Sequence, residues 1–570
     1  MPGFCISNFE QTCSLKNVYQ EKCISESMYI NGYNVARNTL KKFEEDKIFY
    51  QNDEYVIITE GVILNRKNLM DQCGERAFIN TIIKMVAEYG VEFFEKFRGS
   101  FCGALYDKRK DTWYVYTNHI GDKPLFYYCD NGKFAVGAQV NYVLDTIRLN
   151  GKVLSLDEKA VYDMLTFAFM EKDSTYAREI KRLQAGHYLE IKSGKVSVKK
   201  YFEFDRKAFD LNGISESELI DLVDEKFRNA VGLEFDKDCE YGYEFYSDLS
   251  GGLDSRMTMW IGAEMGYLPM THLTYCQANY KDELIAKEIA DYWDNEIVVK
   301  SLNDARFLLD IDKIVHMNAG LSLYSGITGG MRLLEMLDSQ KMGLEHTGQL
   351  GDVVLGSFYK KREQIGEWNL TGMYSERIKD KIDTAYKKSF CDNEMYLLYT
   401  RGFQGATCTH LIRQNYTEVG SPFIDVDFLQ LCCSIPPEFR IGHNLYIKWI
   451  LNKYPGAAKF EWEKTGCRIN ANKMELFMEK VKRGGMYKLR NMLRIPQKIS
   501  SNGMNPMDFW YATKTYLKSY MDDYLIKNLE HEILDSEMKK LISDYYTKGS
   551  TIEKTQALTV LGAINFYFGK

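Results

Sequence analysis

Two hydrophobic rhythms divide the chain. Up to about residue 200, short apolar runs read as strands broken by few helices, the clearest being Tyr55–Leu64, Ser100–Tyr106, Trp113–Thr117, Leu125–Tyr128 and Lys133–Gly137. One helix is predicted from about Glu75 to Phe97. There Phe78, Ile82, Met85, Val86 and Tyr89 make a single stripe suited to packing on a sheet. Residues 203–214 read as a linker, and Ser215-Glu216-Ser217-Glu218 as a capping box that opens a helix ending near Val231. After it, strand and helix alternate. Strand 241–249 precedes helix 255–266, Met270–Cys276 precedes Asp282–Tyr292, and Glu296–Val299 precedes Asp304–Met317. That alternation predicts a parallel, doubly wound sheet with its ligand at the carboxyl ends of the strands. The stretch Thr551–Tyr567, with Leu558, Val560, Leu561 and Ile564, followed by Phe568, reads as a core helix.

A chain of 570 residues exceeds one ordinary core, so large domains are expected at 1–205 and 206–570. The formal charge of -6 gives no general attraction to a phosphate backbone, which argues against a nucleic-acid partner. The 13 cysteines are scattered with no Cys-x-x-Cys pair, and none of the 8 histidines forms a helical His-x-x-x-His pair. Neither a disulfide framework nor a zinc site is therefore expected. No apolar run approaches the roughly 20 residues that span a bilayer, and Met-Pro-Gly-Phe-Cys is not a signal sequence. A cytoplasmic protein with reduced thiols and no membrane partner is the expectation. Asn369-Leu370-Thr371 and Asn415-Tyr416-Thr417 match the glycosylation pattern by chance on this reading.

The chemistry concentrates at Leu249-Ser250-Gly251-Gly252-Leu253-Asp254-Ser255, between a strand and a helix. Two glycines let backbone N–H groups approach an anion, the following helix adds unpaired donors, and two serines add hydroxyls. Asp254 would repel phosphate unless a divalent cation lay between them, which points to Mg²⁺. Gly-Gly after a strand is often only a turn, but here the whole pattern resembles the Ser-Gly-Gly-x-Asp-Ser loop of the ATP pyrophosphatases, and it lacks the lysine of a Walker loop.

Further segments resemble the asparagine synthetase family. Gly121-Asp122-Lys123-Pro124-Leu125-Phe126-Tyr127 and Ile180–Tyr188 are similar to segments of its glutaminase domain. Glu345-His346-Thr347-Gly348-Gln349-Leu350-Gly351-Asp352 is similar to its second nucleotide loop, and Glu418–Asp425 and Trp462–Gly466 to later motifs. The resemblance implies an Ntn-hydrolase-like αββα sandwich followed by a doubly wound α/β domain of the ATP-pyrophosphatase (adenine nucleotide alpha hydrolase-like) type. It implies that Thr347 and Gly348 contact nucleotide, that Asp352 shares Mg²⁺ with Asp254, and that Lys464 meets phosphate and developing negative charge. Glu418 is expected to act as a base or orienter for the amine.

The glutaminase residues do not carry over. Family glutaminases use an N-terminal cysteine whose α-amine is the base, whereas Pro2 has no thiol. Cys5 lies close by, but its nitrogen is in a peptide bond and cannot be that base without further processing. Glu60-Gly61-Val62 replaces Asn-Gly-Glu, and Thr117-Asn118 replaces Arg-Asp, removing two carboxylates. Gln349 replaces a glutamate that helps handle the amine in asparagine formation. The expectation is a ligase that uses ATP to adenylate a small-molecule or peptide carboxylate and passes it to ammonia or an amine without glutamine. Families with such dead domains include β-lactam synthetases and lasso-peptide cyclases. Asparagine synthetase on free ammonia, sulfur transfer or RNA modification, and a non-catalytic nucleotide-binding scaffold are the alternatives.

Overall fold

The computed structural model of the protein describes residues 2–16, 20–326, 328–365, 372–492 and 499–569; side chains at 328–329 and 483–492 are not described, and Asn369-Leu370-Thr371 lies outside the described residues. Twelve strands build the first part: β1 (Gly3–Ser7), β2 (Cys23–Ile30), β3 (Tyr33–Leu40), β4 (Phe49–Gln51), β5 (Tyr55–Ile63), β6 (Gly99–Asp107), β7 (Thr112–Thr117), β8 (Phe126–Asp130), β9 (Lys133–Gly137), β10 (Ile180–Arg182), β11 (His187–Lys192) and β12 (Lys195–Lys200). They form two six-stranded sheets, ordered β10-β8-β9-β1-β3-β2 and β12-β11-β7-β6-β5-β4. The alternation of each strand decides the layers. Phe4 and Ile6 of one sheet share a core with Val56, Ile58, Ala104 and Val115 of the other. On the outer face of the second sheet, Ile57, Phe101 and Leu105 meet Phe78, Ile82 and Met85 of a helix. Tyr142, on helix Val140–Leu149, covers Cys5 on the outer face of the first sheet. Helix, sheet, sheet, helix is the αββα sandwich.

The second part holds β13 (Glu244–Asp248), β14 (Met270–Cys276), β15 (Glu296–Ser301), β16 (Met342–His346) and β17 (Val419–Gly420), all parallel, in the order β15-β14-β13-β16-β17. The direction of strand addition reverses between β13 and β16. That reversal opens the crevice in which doubly wound sheets bind ligands. A short antiparallel hairpin, β18 (Glu461–Trp462) with β19 (Cys467–Arg468), lies beside it. Helix Thr551–Phe568 buries Leu558, Val560, Leu561 and Ile564, and Gln556 Nε2 donates to the carbonyls of Met164 (2.9 Å) and Leu165 (2.8 Å) in the sandwich.

Several boundaries differ from the sequence reading, each for a local reason. The capping box at Ser215 is present, but its helix runs to Tyr241, ten residues beyond Val231, because Phe235, Lys237 and Asp238 find buried partners. Gly242, at φ 69°, ends it in the left-handed conformation that glycine adopts without strain. Tyr241 and Tyr243 looked like strand; instead they stack on each other and edge onto Phe43. The helix predicted from 75 to 97 is α-helical only over Phe78–Tyr89, and Gly90, at φ 71°, starts a tighter turn. The four strands before Tyr55 had no counterpart in the sequence reading.

Candidate active site

The loop after β13 is shaped by contacts within itself and with its neighbours. The Ser250 N–H donates to Ser255 Oγ at 3.2 Å, the two hydroxyls lie 3.1 Å apart, and the Gly252 N–H donates to Ser250 Oγ at 3.2 Å. The Gly251 N–H is taken by Asp282 Oδ1 at 2.9 Å. A Cβ at Gly251 would lie 2.8 Å from that of Glu463, so only glycine lets the hairpin turn approach. Arg256 fastens the loop from behind: fully buried, it donates to the carbonyls of Gly251 (3.2 Å) and Ala457 (3.2 Å), among others. Helix Asp254–Glu264 then points the N–H groups of its first turn at the crevice.

The second loop docks on this helix start. A Cβ on Gly348 would sit 2.3 Å from Ser255 N, and one on Gly351 would sit 2.7 Å from the Asp254 carboxyl carbon, so the two loops touch backbone to backbone. The Asp352 N–H donates to Asp254 Oδ2 at 3.0 Å, and the Tyr446 hydroxyl donates to Oδ1 at 3.0 Å. Burial and the adjacent Asp352 carboxylate push the Asp254 acid up to about 8. Asp352 itself is exposed. Lys464 lies on the turn between β18 and β19, with Nζ 3.4 Å from His443 Nε2 and 5.4 Å from the Trp462 ring centroid, and its charge opposes the rise at Asp254. Thr347 joins β16 to β17, since its N–H and its hydroxyl both donate to the Gly420 carbonyl at 2.9 Å.

These elements enclose a cleft of about 340 Å³, lined by Leu249, Ser250, Gly252, Asp254, Ser255, Thr347, Gly348 and Gln349. Asp248, Tyr275, Asp282, Glu463 and Met504, to which the sequence reading gave no role, line it too. Asp248 is held by Arg413, whose Nη1 donates to Asp248 Oδ2 at 2.7 Å and to Glu345 Oε1 at 2.6 Å while Nη2 reaches the Tyr275 hydroxyl. A charged residue two before Ser250, closing an aromatic strand, was the available signal for it. Burial lifts Asp282 to about 6. The charged residues lining the cleft, Asp248, Asp254, Asp282 and Glu463, are thus all acids, with Lys464 and Arg413 as nearby cations.

Glu418 is not part of it. It is buried where the sandwich meets the parallel sheet, with Lys123 Nζ at 2.7 Å and Lys47 Nζ at 2.8 Å. Burial pushes its pKa up, but the two lysines outweigh that and hold it at about 2. A carboxylate so placed cannot take a proton from an amine near pH 7, which corrects the expected role.

In the sandwich, Glu60 accepts from Thr39 Oγ1 at 2.8 Å and lies 4.0 Å from Lys47 Nζ. Asn118 Oδ1 accepts from the Gly121 N–H at 2.9 Å, and its Nδ2 donates to Asp122 Oδ1 at 2.6 Å. Glu60 and Asn118 are thus engaged in holding a lysine and a turn. Among the described residues no group of three His, Cys, Asp or Glu side chains is arranged to hold a metal, and no helix is long and apolar enough to cross a membrane.

Fold and loop together define the class: an Ntn-hydrolase-like sandwich followed by a doubly wound domain of the ATP-pyrophosphatase type, with the crevice at the strand-order reversal. Residues 40–202 match the glutamine amidotransferase domain family. The chain is 23% identical over 275 residues to asparagine synthetase (glutamine-hydrolyzing) 1 of Bacillus subtilis, covering 47% of this chain and 42% of that protein. To asparagine synthetase B (glutamine-hydrolyzing) of Escherichia coli it is 25% identical over 218 residues, covering 36% of this chain and 32% of that protein. The chain therefore spans less than half the length of either relative. The sandwich, the paired loops and these likenesses together make the chain similar to the asparagine synthetases.

Proposed function

We propose that the protein is an ATP-dependent, amide-forming ligase that adenylates a carboxylate and passes the acyl group to ammonia or an amine, without drawing on glutamine. The contact between the two loops carries this reading: Asp352 rests on Asp254 at the reversal point of the sheet, 3.0 Å from amide to carboxylate. An acid whose proton affinity is raised by burial and by an adjacent carboxylate fits a divalent cation, which would relieve the repulsion. With only two protein oxygens, the rest of the shell is left to phosphate oxygens and water. Magnesium there would neutralise the phosphate charge and ease departure of pyrophosphate.

The chain's own groups do the remaining work. The helix N–H groups after Gly252, with the Ser250 and Ser255 hydroxyls, hold the β- and γ-phosphates, since the Gly251 amide is already committed to Asp282. Leu249, Thr347 and Gly348 bound the nucleotide. The substrate carboxylate attacks the α-phosphorus, pyrophosphate leaves, and the amine then displaces AMP from the acyl-adenylate. Lys464 stabilises the negative charge that builds up on oxygen in both steps. On this reading the lost acids at Val62 and Asn118 leave no partner for glutamine, and the sandwich acts as a structural body. We place the boundary between the two bodies at 205/206.

The test is incubation of the protein with ATP, magnesium and fractionated cellular carboxylic acids, with nucleotide products separated and acyl-AMP trapped for mass spectrometry. AMP and pyrophosphate that disappear in Asp254→Asn support the reading; ADP instead of AMP, or glutamine hydrolysis by the purified protein, sinks it. The names of the relatives favour a second reading, asparagine synthesis from ammonia. Stimulation of pyrophosphate release by aspartate would select it, whereas nucleotide binding with no AMP across all acids would leave a non-catalytic protein.

A further inference from the structure

The outer face of the first sheet carries chemistry that the cleft does not use. β1 sends Phe4 and Ile6 into the inter-sheet core and Cys5 to the opposite side, where it packs with Leu15, Tyr142 and Cys13. The loop after β1 brings Cys13 back over the same spot. Cys13 Sγ lies 3.2 Å from the Tyr142 carbonyl oxygen and Cys5 Sγ lies 4.0 Å from it, so both thiols address a single acceptor. Thr146 Oγ1 lies 3.4 Å from Cys13 Sγ. Beside them is a cavity of about 300 Å³, lined by Cys5, Thr12, Cys13, Ser27, Asn34 and Ala36 among others.

The two thiols are not equivalent. Cys5 is buried, and its contact with Cys13 together with burial pushes its pKa well up; Cys13 is half-buried, and the same contact, aided by Thr146, lowers its own. A more acidic, accessible thiol beside a buried partner is the arrangement in which one sulfur attacks and the other resolves. The neighbouring pair Cys432 and Cys433 is the contrast, since both are buried and both are pushed up.

We propose that Cys5 and Cys13 form a thiol–disulfide exchange site, which takes a small dialkyl disulfide through this cavity and closes into a Cys5–Cys13 disulfide. The Cys13 thiolate attacks one sulfur of the small disulfide, the S–S bond breaks, and one thiolate leaves, giving a mixed disulfide on Cys13. Cys5 then gives up its proton and attacks Cys13 Sγ, expelling the second small thiolate. Two protein thiols are oxidised by two electrons and one small disulfide is reduced to two thiols. The product fastens the loop after β1 to the sheet. The assignment is independent of what the cleft binds.

The experiment uses the full-length protein and oxidised glutathione as the probe. After a short incubation the thiols are blocked with an alkylating agent, the chain is cleaved after Glu10 without reductant, and the peptides are weighed. The expected result is a Cys5–Cys13 cross-linked pair, about 2 Da below the sum of its reduced parts, appearing at least about tenfold faster than adducts on exposed Cys129, Cys239 and Cys391. Cys5→Ser, or Cys5→Ala if the serine variant fails to fold by circular dichroism, should hold a stable glutathione adduct on Cys13. Adducts on the exposed cysteines with no Cys5–Cys13 link, or a Cys13 that stays unmodified in a folded Cys5 variant, would overturn the proposal.

Discussion

Asp254 and Glu418 are both acids of the parallel-sheet half, and both fall within segments that resemble motifs of one family, yet their surroundings give them opposite properties. Asp254 has a second carboxylate for a neighbour, together with a hydroxyl and an amide, and is pushed up to about 8. Glu418 has two lysines, both reaching it from the sandwich, and is held at about 2. The first is an acid short of a counter-charge beside a cleft, and on our reading a cation would supply that charge. The second already has its counter-charges and serves as a joint between the two halves. A motif fixes where an acid stands along the chain; the charges that fold around it decide whether it is available for chemistry.

The sharpest way to break this contrast is Asp254→Asn. On our reading it cuts AMP formation by about 1,000-fold or more, because the cation loses a ligand, while removing the repulsion between Asp254 and Asp352. Its unfolding free energy should therefore stay within about 1 kcal/mol of the parent or rise above it, as active-site neutralisations often do. A large loss of stability in urea denaturation would show that Asp254 is structural.

Lys123→Met makes the reverse prediction. It leaves Glu418 with one lysine in a buried place, and a loss of about 3–5 kcal/mol in urea denaturation is expected, with unchanged nucleotide affinity per folded molecule. Next in size is Lys464→Gln. An exposed lysine contributes little to folding, so stability should move by less than about 0.5 kcal/mol while AMP formation falls by about 10²-fold. Gly348→Ala is smaller still: the added Cβ would lie 2.3 Å from Ser255 N, parting the two loops and weakening ATP binding by about tenfold in calorimetry.

The smallest effect is a pH dependence. Glu418 has an ordinary value of 4.5 and a folded value of about 2, so the folded state binds its proton less readily than the unfolded chain does. Its contribution to stability is then complete above about 4.5 and is lost as pH falls through the interval down to about 2. Glu418→Gln should flatten that part of a stability–pH curve; an unchanged slope would mean that the lysines do not hold it.

Much of the site was legible because its signals are local. Ser250 to Ser255 needs only a strand end, two glycines and a helix start, all adjacent in sequence, and the alternation that follows announces a doubly wound sheet. The meeting of Asp254 with Asp352 came from the resemblance, not from spacing, since the two stand 98 positions apart. Glu418 was misread because Lys123 and Lys47 are distant in sequence and carry no mark of their destination. Asp248 passed without a role for the same reason, its partner Arg413 being 165 positions away. The end of the helix from Glu216 was lost because buried partners for Lys237 and Asp238 cannot be seen in an amphipathic pattern. Strand β2 escaped because only its first residue is buried, so an alternation of half-buried and exposed positions looked like loop.

Helix Thr551–Phe568 bears on how this molecule tolerates being taken apart. Its glutamine caps carbonyls of the sandwich, while Thr559 Oγ1 receives the Tyr324 amide of the other half at 3.2 Å, so one late segment serves as a mortise for both. Neither half has a complete interior without it. Expressing the sandwich alone would bare the surface around Met164 and Leu165 that this helix covers, and such a piece should be recovered as an aggregate unless the helix travels with it.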